Sequence, residues 1–430
     1  MTTRVRSELY AASPDKKTAE ARAMRYVDVE TLRRLEHRSL HRESDWTNED
    51  YDRYSDDNGR TWGPWKNVFD KVHETKGEDE IVTWDGANWN QAYNPRYGHF
   101  VSVSLRTTFF DGHVKAYERH WGGQLGYVNH CLLEVRANGS EERSSQLIKY
   151  EPGADYDPDN WRDPAYIEKN IGCFGSNIDV LDNGEILFPL DANFIACCRI
   201  LGVDPNEIFP SCPHLTHGMI VARGTFNEAR GSYDLTFSRP IVISDLKSSR
   251  GVNESNAMML PSGRIVAVFR GSNMMSEARN TRIEPFTPPH KWFCWSDDGG
   301  KTFTEPFPWR YEDGEVFYSP SSRSNLVRSI KNGKIYWIGN ITDHRALANG
   351  PRHPLVIGAV NDRGLLIKDS VITIDTRREG DCEKITLSDP GIIQDRETGL
   401  MELYITKSGQ REGLPRWADC WRYFIDVGDD

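Results

Sequence analysis

One turn recurs along this chain and narrows what it can fold into. A polar stretch ending in glycine, followed by a β-branched or aromatic run, appears at Leu181-Asp-Asn-Gly-Glu-Ile, Leu260-Pro-Ser-Gly-Arg-Ile, Ile330-Lys-Asn-Gly-Lys-Ile and Arg396-Glu-Thr-Gly-Leu-Met. Glycine there supplies the positive φ of a tight hairpin, and the run that follows reads as strand. The four glycines (184, 263, 333 and 399) are 79, 70 and 66 residues apart. A unit of that length holds about four strands, the size of a propeller blade. The expected fold is therefore all-β, a β-propeller of four-stranded antiparallel sheets, with room in 430 residues for six blades or seven. No Pro/Ser-rich linker divides the chain, so 1–430 reads as a single domain, with 1–20 as an N-terminal extension. Helical periodicity is confined to Lys16–Arg25.

Charge removes some partners. The net charge is -11 and basic residues form only short pairs, which argues against nucleic acid or an anionic membrane as the partner. A small anion held by a few converging arginines is still allowed. No apolar stretch reaches the ~18–20 residues that span a bilayer. Met1–Lys17 is polar and lacks the apolar segment of a signal peptide, which suits a cytoplasmic protein or one whose leader has been removed. The eight cysteines include no CxxC, and the adjacent Cys197 and Cys198 suit a buried strand. Cys212, His214 and His217 are the nearest approach to a metal set, in a Pro-containing loop, and neither metal nor cofactor is expected. The 13 Trp serve either to stack sugars or to lock strand layers together.

Two further segments share the pattern S-x-D-x-G-x-T-[WF]: Ser55 to Trp62 and Ser296 to Phe303. The Asp and hydroxyl side chains bond turn amides, and the aromatic anchors the turn. This resembles the Asp-box (BNR repeat) of the sialidase superfamily, where it joins the third and fourth strands of a propeller blade. Asn253-Glu254 through Arg270 also resembles the central sialidase segment, in which a Glu and an Arg lie sixteen residues apart. The resemblance implies that Arg270 belongs to a triad gripping the substrate carboxylate and that Glu254 polarises a Tyr nucleophile. Ile338 to Gly364 is similar to the segment carrying the third triad arginine, with Arg352 in that position and Arg345 second, and a degenerate turn at Asn361-Asp-Arg-Gly364. The family's first arginine lies in an Arg-Ile-Pro strand that this sequence lacks. Arg25, Arg38 and Arg42 stand in the corresponding stretch, and Arg25 joins the substrate-binding set. Asp45 occupies the loop of the family's acid. The nucleophilic Tyr is missing before the last hairpin, where Asp389 stands instead; Tyr318 or Tyr404 would have to reach in.

The resemblance implies an exo-acting glycoside hydrolase removing a terminal acidic sugar from a glycan. Asp45, Glu254 and Asp389 would be its catalytic carboxylates, and Arg270, Arg352 and Arg25 would bind substrate. Glycoside cleavage needs a proton donor and a second group that attacks or activates water, which two carboxylates supply. A second reading uses His113, Tyr117, Arg119, His120 and Trp121: a lyase or rhamnosidase-type enzyme acting at a uronic acid, with His or Tyr as the base. His113, His120 and Trp121 could equally shape the sugar pocket of a hydrolase. A third reading, favoured by the missing Tyr, is a propeller that binds a glycan without turning it over.

Overall fold

The computed structural model describes residues 3–42, 47–68, 71–76, 79–85, 90–110, 126–152, 169–210, 216–274, 287 and 289–429, with backbone only at 71–76, 79–85 and 110. After β1 (Arg4–Ala11), the strands β2 (Ala19–Asp28), β3 (Arg33–His41), β4 (Glu49–Ser55) and β5 (Lys66–Asn67) form one sheet in that order. The next contains β6 (Lys71–Lys76), β7 (Asp79–Asp85), β8 (Gln91–Asn94), β9 (His99–Phe110), β10 (Tyr127–Ala137) and β11 (Ser144–Leu147). Both β7 and β8 pair with β9, as two pieces of one interrupted strand.

The third sheet holds β12 (Gly172–Phe174), β13 (Asp179–Val180), β14 (Ile186–Asn193), β15 (His217–Asn227) and β16 (Ser232–Phe237). Two short helices, α1 (Phe194–Leu201) and α2 (Pro205–Ile208), connect β14 to β15. The fourth is β17 (Asn253–Met259), β18 (Ile265–Arg270), β19 (Lys291–Ser296) and β20 (Phe307–Pro308), and the fifth β21 (Asn325–Arg328), β22 (Ile335–Asn340), β23 (Leu355–Val360) and β24 (Ile372–Asp375). The sixth is β25 (Gly391–Gln394), β26 (Met401–Ser408) and β27 (Ala418–Asp426), completed by β1 alongside β27.

All six sheets are antiparallel, and the fold is a six-bladed β-propeller, which decides between six blades and seven. The chain divides into two compact units. One comprises Met1–Phe69, Asn138–Glu141 and Trp309–Asp430; the other comprises Asp70–Ala137 and Glu142–Pro308. The first holds the first, fifth and sixth sheets, and the second holds the other three.

The recurring glycines all do one job. Gly184, Gly263, Gly333 and Gly399 have φ between +71° and +85° and turn the first strand of a sheet into its second. The two S-x-D turns link third to fourth strands, β4 to β5 and β19 to β20. Their bonding is the same: Ser55 Oγ accepts from Gly59 N and donates to Asp57, whose carboxylate also accepts from Thr61 N and Thr61 Oγ1. Ser296, Asp298, Gly300 and Thr302 repeat it. Between β23 and β24 the degenerate turn keeps only part of the device, with Asn361 Oδ1 accepting from Arg363 N and Leu365 N.

Strands buried on both faces supply the cores. On β14, Ile186, Phe188 and Leu190 enter one cluster with Val101, Leu133 and Ile220, while Leu187 on the other face packs with Val221, Ile265 and Phe269. The two-residue period of a strand sends alternate side chains into different cores, each fully buried one contributing about 1.5–3 kcal/mol.

Three expectations need correction. Lys16–Arg25 is not helical; β2 begins at Ala19, where the buried Glu20, Arg22, Met24 and Tyr26 share one face, and this two-residue period outweighs the helix propensity of Ala and Lys. Residues 1–20 are not an extension, since Arg4–Ala11 is the outer strand of the sixth sheet, with Arg4 opposite Asp426. Cys197 and Cys198 are buried, but on α1 rather than a strand. Asn193 Oδ1 caps that helix by accepting from Ala196 N, and Gly202, at φ +70°, ends it.

Candidate active site

The hairpin β17–β18 brings Glu254 and Arg270 together. Gly263 turns the chain back on itself, so Asn253 pairs with Arg270 and Glu254 follows at once. The register then slips: Asn253 faces Arg270, but Asn256 faces Val268, which leaves one extra residue on β17. Glu254 has φ +49° and forms this bulge. A bulge re-aims a side chain relative to its strand, and non-glycine residues in left-handed backbone gather at functional sites. Glu254 Oε2 lies 2.8 Å from Arg270 Nη1. The Arg270 side chain keeps 9% of its surface and Glu254 keeps 29%, so the pair has a buried base and a wetter tip.

Beneath the bulge lies Asp191, on β14. Its carboxylate accepts from Glu254 N, Ser255 N and Ser255 Oγ. Burial pushes its pKa up to about 6, against the opposing pull of those hydrogen bonds. Cys173, opposite Asp191 in the sheet, is pushed up to about 12 by burial, with the Asp191 and Glu254 charges adding to the effect. His217, on β15, feels the Arg270 charge. Burial holds it down at about 4, helped by the positive charges of Arg250 and Arg270.

In the first unit, Arg352 is held differently. Nε donates to Asn349 O, Nη1 to Ser388 Oγ and Nη2 to Ser321 O. Ser388 Oγ in turn donates to Asp389 Oδ2, which lies 3.5 Å from Arg352 Nη1. Asp389 has φ +57° and a side chain 47% exposed, just before β25. Two of the expected catalytic carboxylates thus sit in left-handed backbone beside an arginine, each within its own unit.

The remaining expectations divide. Asp45, His113, His120 and Trp121 lie outside the described residues, as do Tyr117, Arg119, Cys212 and His214. Arg25 lies on β2, partly buried, on the face opposite Arg22, where its charge bears on His37 and Tyr54. Arg38 lies over the Trp65 and Tyr51 rings at 4.3 and 4.9 Å, and Arg42 is an exposed partner of Glu49. Tyr404 cannot serve as a nucleophile. It is buried and donates to Glu402 Oε2, which also pairs with Arg34 and Arg422. Tyr318 is 36% exposed. Sequence reasoning missed Asp191, though a carboxylate inside the apolar run Ile186-Leu-Phe-Pro-Leu-Asp191-Ala is the signal that finds it, because charge is rarely buried there without a purpose. It also missed Arg22, which lies buried between Glu20 and Glu36. Among the described residues no group of three or more His, Cys, Asp or Glu is placed to hold a metal ion.

No family model and no curated protein matches the chain. Solved structures do. A protein of unknown function from Dyadobacter fermentans superposes with a TM-score of 0.57 at 13% identity, covering 99% of each chain. A sialidase from Trypanosoma rangeli, in complex with 2,3-difluoro-KDN, matches at TM-score 0.53 and 12% identity over 98% of this chain. A Hadza microbial sialidase matches at TM-score 0.53 and 11% identity over 97% of it. The chain spans 58% of the Trypanosoma rangeli protein and 67% of the Hadza one. At these identities the likeness is one of fold. The protein has the sialidase-like six-bladed propeller, an architecture it shares with glycoside hydrolases.

Proposed function

We propose that this protein is an exo-acting glycoside hydrolase that removes a terminal acidic sugar. The observation that carries the reading is the Glu254–Arg270 pair, set on a bulge and partly open to water. Arg270 meets Glu254 through Nη1, and its guanidinium is assigned to a sugar carboxylate, which it can grip with paired N–H groups. Glu254 would serve as the base or as the polariser of a nucleophile, with Asp45 as the acid. Arg352 is proposed as a further substrate arginine, and Asp389 as the carboxylate standing where sialidases carry their Tyr. Arg25, His113, His120 and Trp121 are assigned to the sugar pocket. The bound 2,3-difluoro-KDN in the similarly folded Trypanosoma rangeli sialidase supports an acidic sugar as the substrate class.

The test is hydrolysis of a panel of acidic and neutral glycosides by wild type and Arg270→Ala. Loss of a charge-assisted pair costs about 1.5–3 kcal/mol, so kcat/KM for acidic substrates should fall about 10- to 100-fold. Unchanged turnover of every acidic glycoside would overturn the reading. Product carrying the ultraviolet absorbance of an unsaturated uronate would replace it with the lyase.

A further inference from the structure

We infer that Asp191 is a positioning residue, a buried clamp on the bulge that aims Glu254. The inference rests on the proposed role of Glu254. β17 is the edge strand of its sheet, and edge amides need partners. The neighbouring sheet supplies them with side chains: Asn177 Oδ1 accepts from Ala257 N and Asp179 Oδ2 from Met259 N, along the straight part of the strand. Asp191 alone of these three grips the bulge, taking both successive amides, Glu254 N and Ser255 N, together with the Ser255 hydroxyl.

That geometry has a direct chemical meaning. The φ of +49° at Glu254 is unfavourable for a residue with a side chain, and it persists only where surrounding contacts over-determine it. Two amides pointing at one carboxylate provide that constraint, because the kink is what turns them both the same way. Space reinforces it. A Cβ on Gly175 would come within 2.6 Å of Ser255 O, so the β12–β13 segment fits against the bulge only with glycine there, and Ser176 N bonds the same carbonyl. Asp191 sits too deep to touch a substrate, so it acts through Glu254.

The titratable groups bearing on Asp191 are Glu254 on β17, Cys173 on β12 and Cys131 on β10. The ionised carboxylate is the form that accepts three hydrogen bonds at once. Its midpoint near 6 therefore predicts that activity falls as pH drops through 6.

Two measurements on the full-length protein test the clamp. In Asp191→Asn, nearly the same shape but with one acceptor oxygen replaced by a donor, kcat should fall on the order of 100-fold with KM unchanged, and the acid limb near pH 6 should vanish. Hydrogen exchange at the Glu254 and Ser255 amides should quicken while exchange in β18 stays as in wild type. Asp179→Asn is the control, expected to quicken exchange at Met259 and leave kcat alone. The exchange arm needs no substrate and so separates the two failures. Faster exchange at Glu254 in a protein inactive on every glycoside keeps the clamp and sinks the hydrolase. Exchange unchanged in Asp191→Asn, or an acid limb that survives it, overturns the clamp. If Asp191→Asn fails to fold, Ser255→Ala removes one of the three bonds, and an unaltered pH profile with unaltered exchange there overturns it instead.

Discussion

Arg22 in one unit and Arg270 in the other are both buried arginines facing glutamate, yet they are equipped for different work. Arg22 spends Nε and Nη2 on Glu20 and Nη1 on Glu36, both of which are buried. Glu36 is further gripped by Arg53 and by the Tyr10 hydroxyl, whose pKa is driven up by burial and then by the Glu36 charge. That network is closed, and its charges answer one another within the sheet. Arg270 has one glutamate, and that glutamate is partly in water. A guanidinium whose donors are all spoken for stabilises, whereas one with donors left over can take a ligand.

The contrast can be broken by substitution, beginning with the largest effect. Arg22→Leu strands two buried carboxylates beside too little positive charge, and a loss of about 3 kcal/mol in unfolding free energy is expected by chemical denaturation. Arg352→Lys should cost less, about 1–2 kcal/mol, since the ammonium cannot reach Asn349 O, Ser388 Oγ and Ser321 O together. Arg270→Ala should cost less than Arg22→Leu, because Glu254 keeps 29% of its surface and is not left as a fully buried charge, while its activity falls as described above. If Arg270→Ala proves as destabilising as Arg22→Leu, the distinction between scaffold and site collapses.

The smallest effect is that of pH on stability, and the most strongly shifted histidines lie in the second unit. Burial holds His99, His130 and His217 at about 4, well below the ordinary 6.5. Between those values the unfolded chain takes up protons that the native one refuses, so each histidine lowers stability as pH falls from 6.5 to 4. Asp191 works in the other direction. Its native pKa near 6 lies above the ordinary 3.8, so it adds stability as pH falls through 6. Within the second unit three histidines oppose one aspartate; in the first, His353 is lowered and His37 raised, so these two act in opposite directions. A net loss on acidification follows, and His130→Gln should flatten the curve measured by denaturant titration.

What could be read from the sequence was whatever depends on near neighbours. The glycine turns and the two S-x-D turns are local chemistry, and they fell where expected within their sheets. Glu254 and Arg270 were legible for the same reason, since a sixteen-residue interval around Gly263 is one hairpin. Asp191 announces itself as a carboxylate in an apolar run, but its role does not, because its partners lie 63 and 64 residues away on another sheet. The bulge at Glu254 was equally hidden; nothing in Asn253-Glu-Ser-Asn announces a left-handed glutamate, and the clamp that holds it is remote. Lys16–Arg25 carries a helical period in sequence but β2 in the fold, because the alternation from Ala19 on buries one face while the backbone pairs with β3, and β1 is hidden because its partner strand lies more than 400 residues away.

That last pairing bears on how the molecule is made. Arg4 pairs opposite Asp426, so a ribosome delivers this edge of the sixth sheet before the strand it joins. The pairing has to wait until β27 has been made. Closing so long a loop is entropically dear, though the penalty grows only with the logarithm of length. Blocking Arg4–Ala11 would therefore unzip the sixth sheet rather than the first.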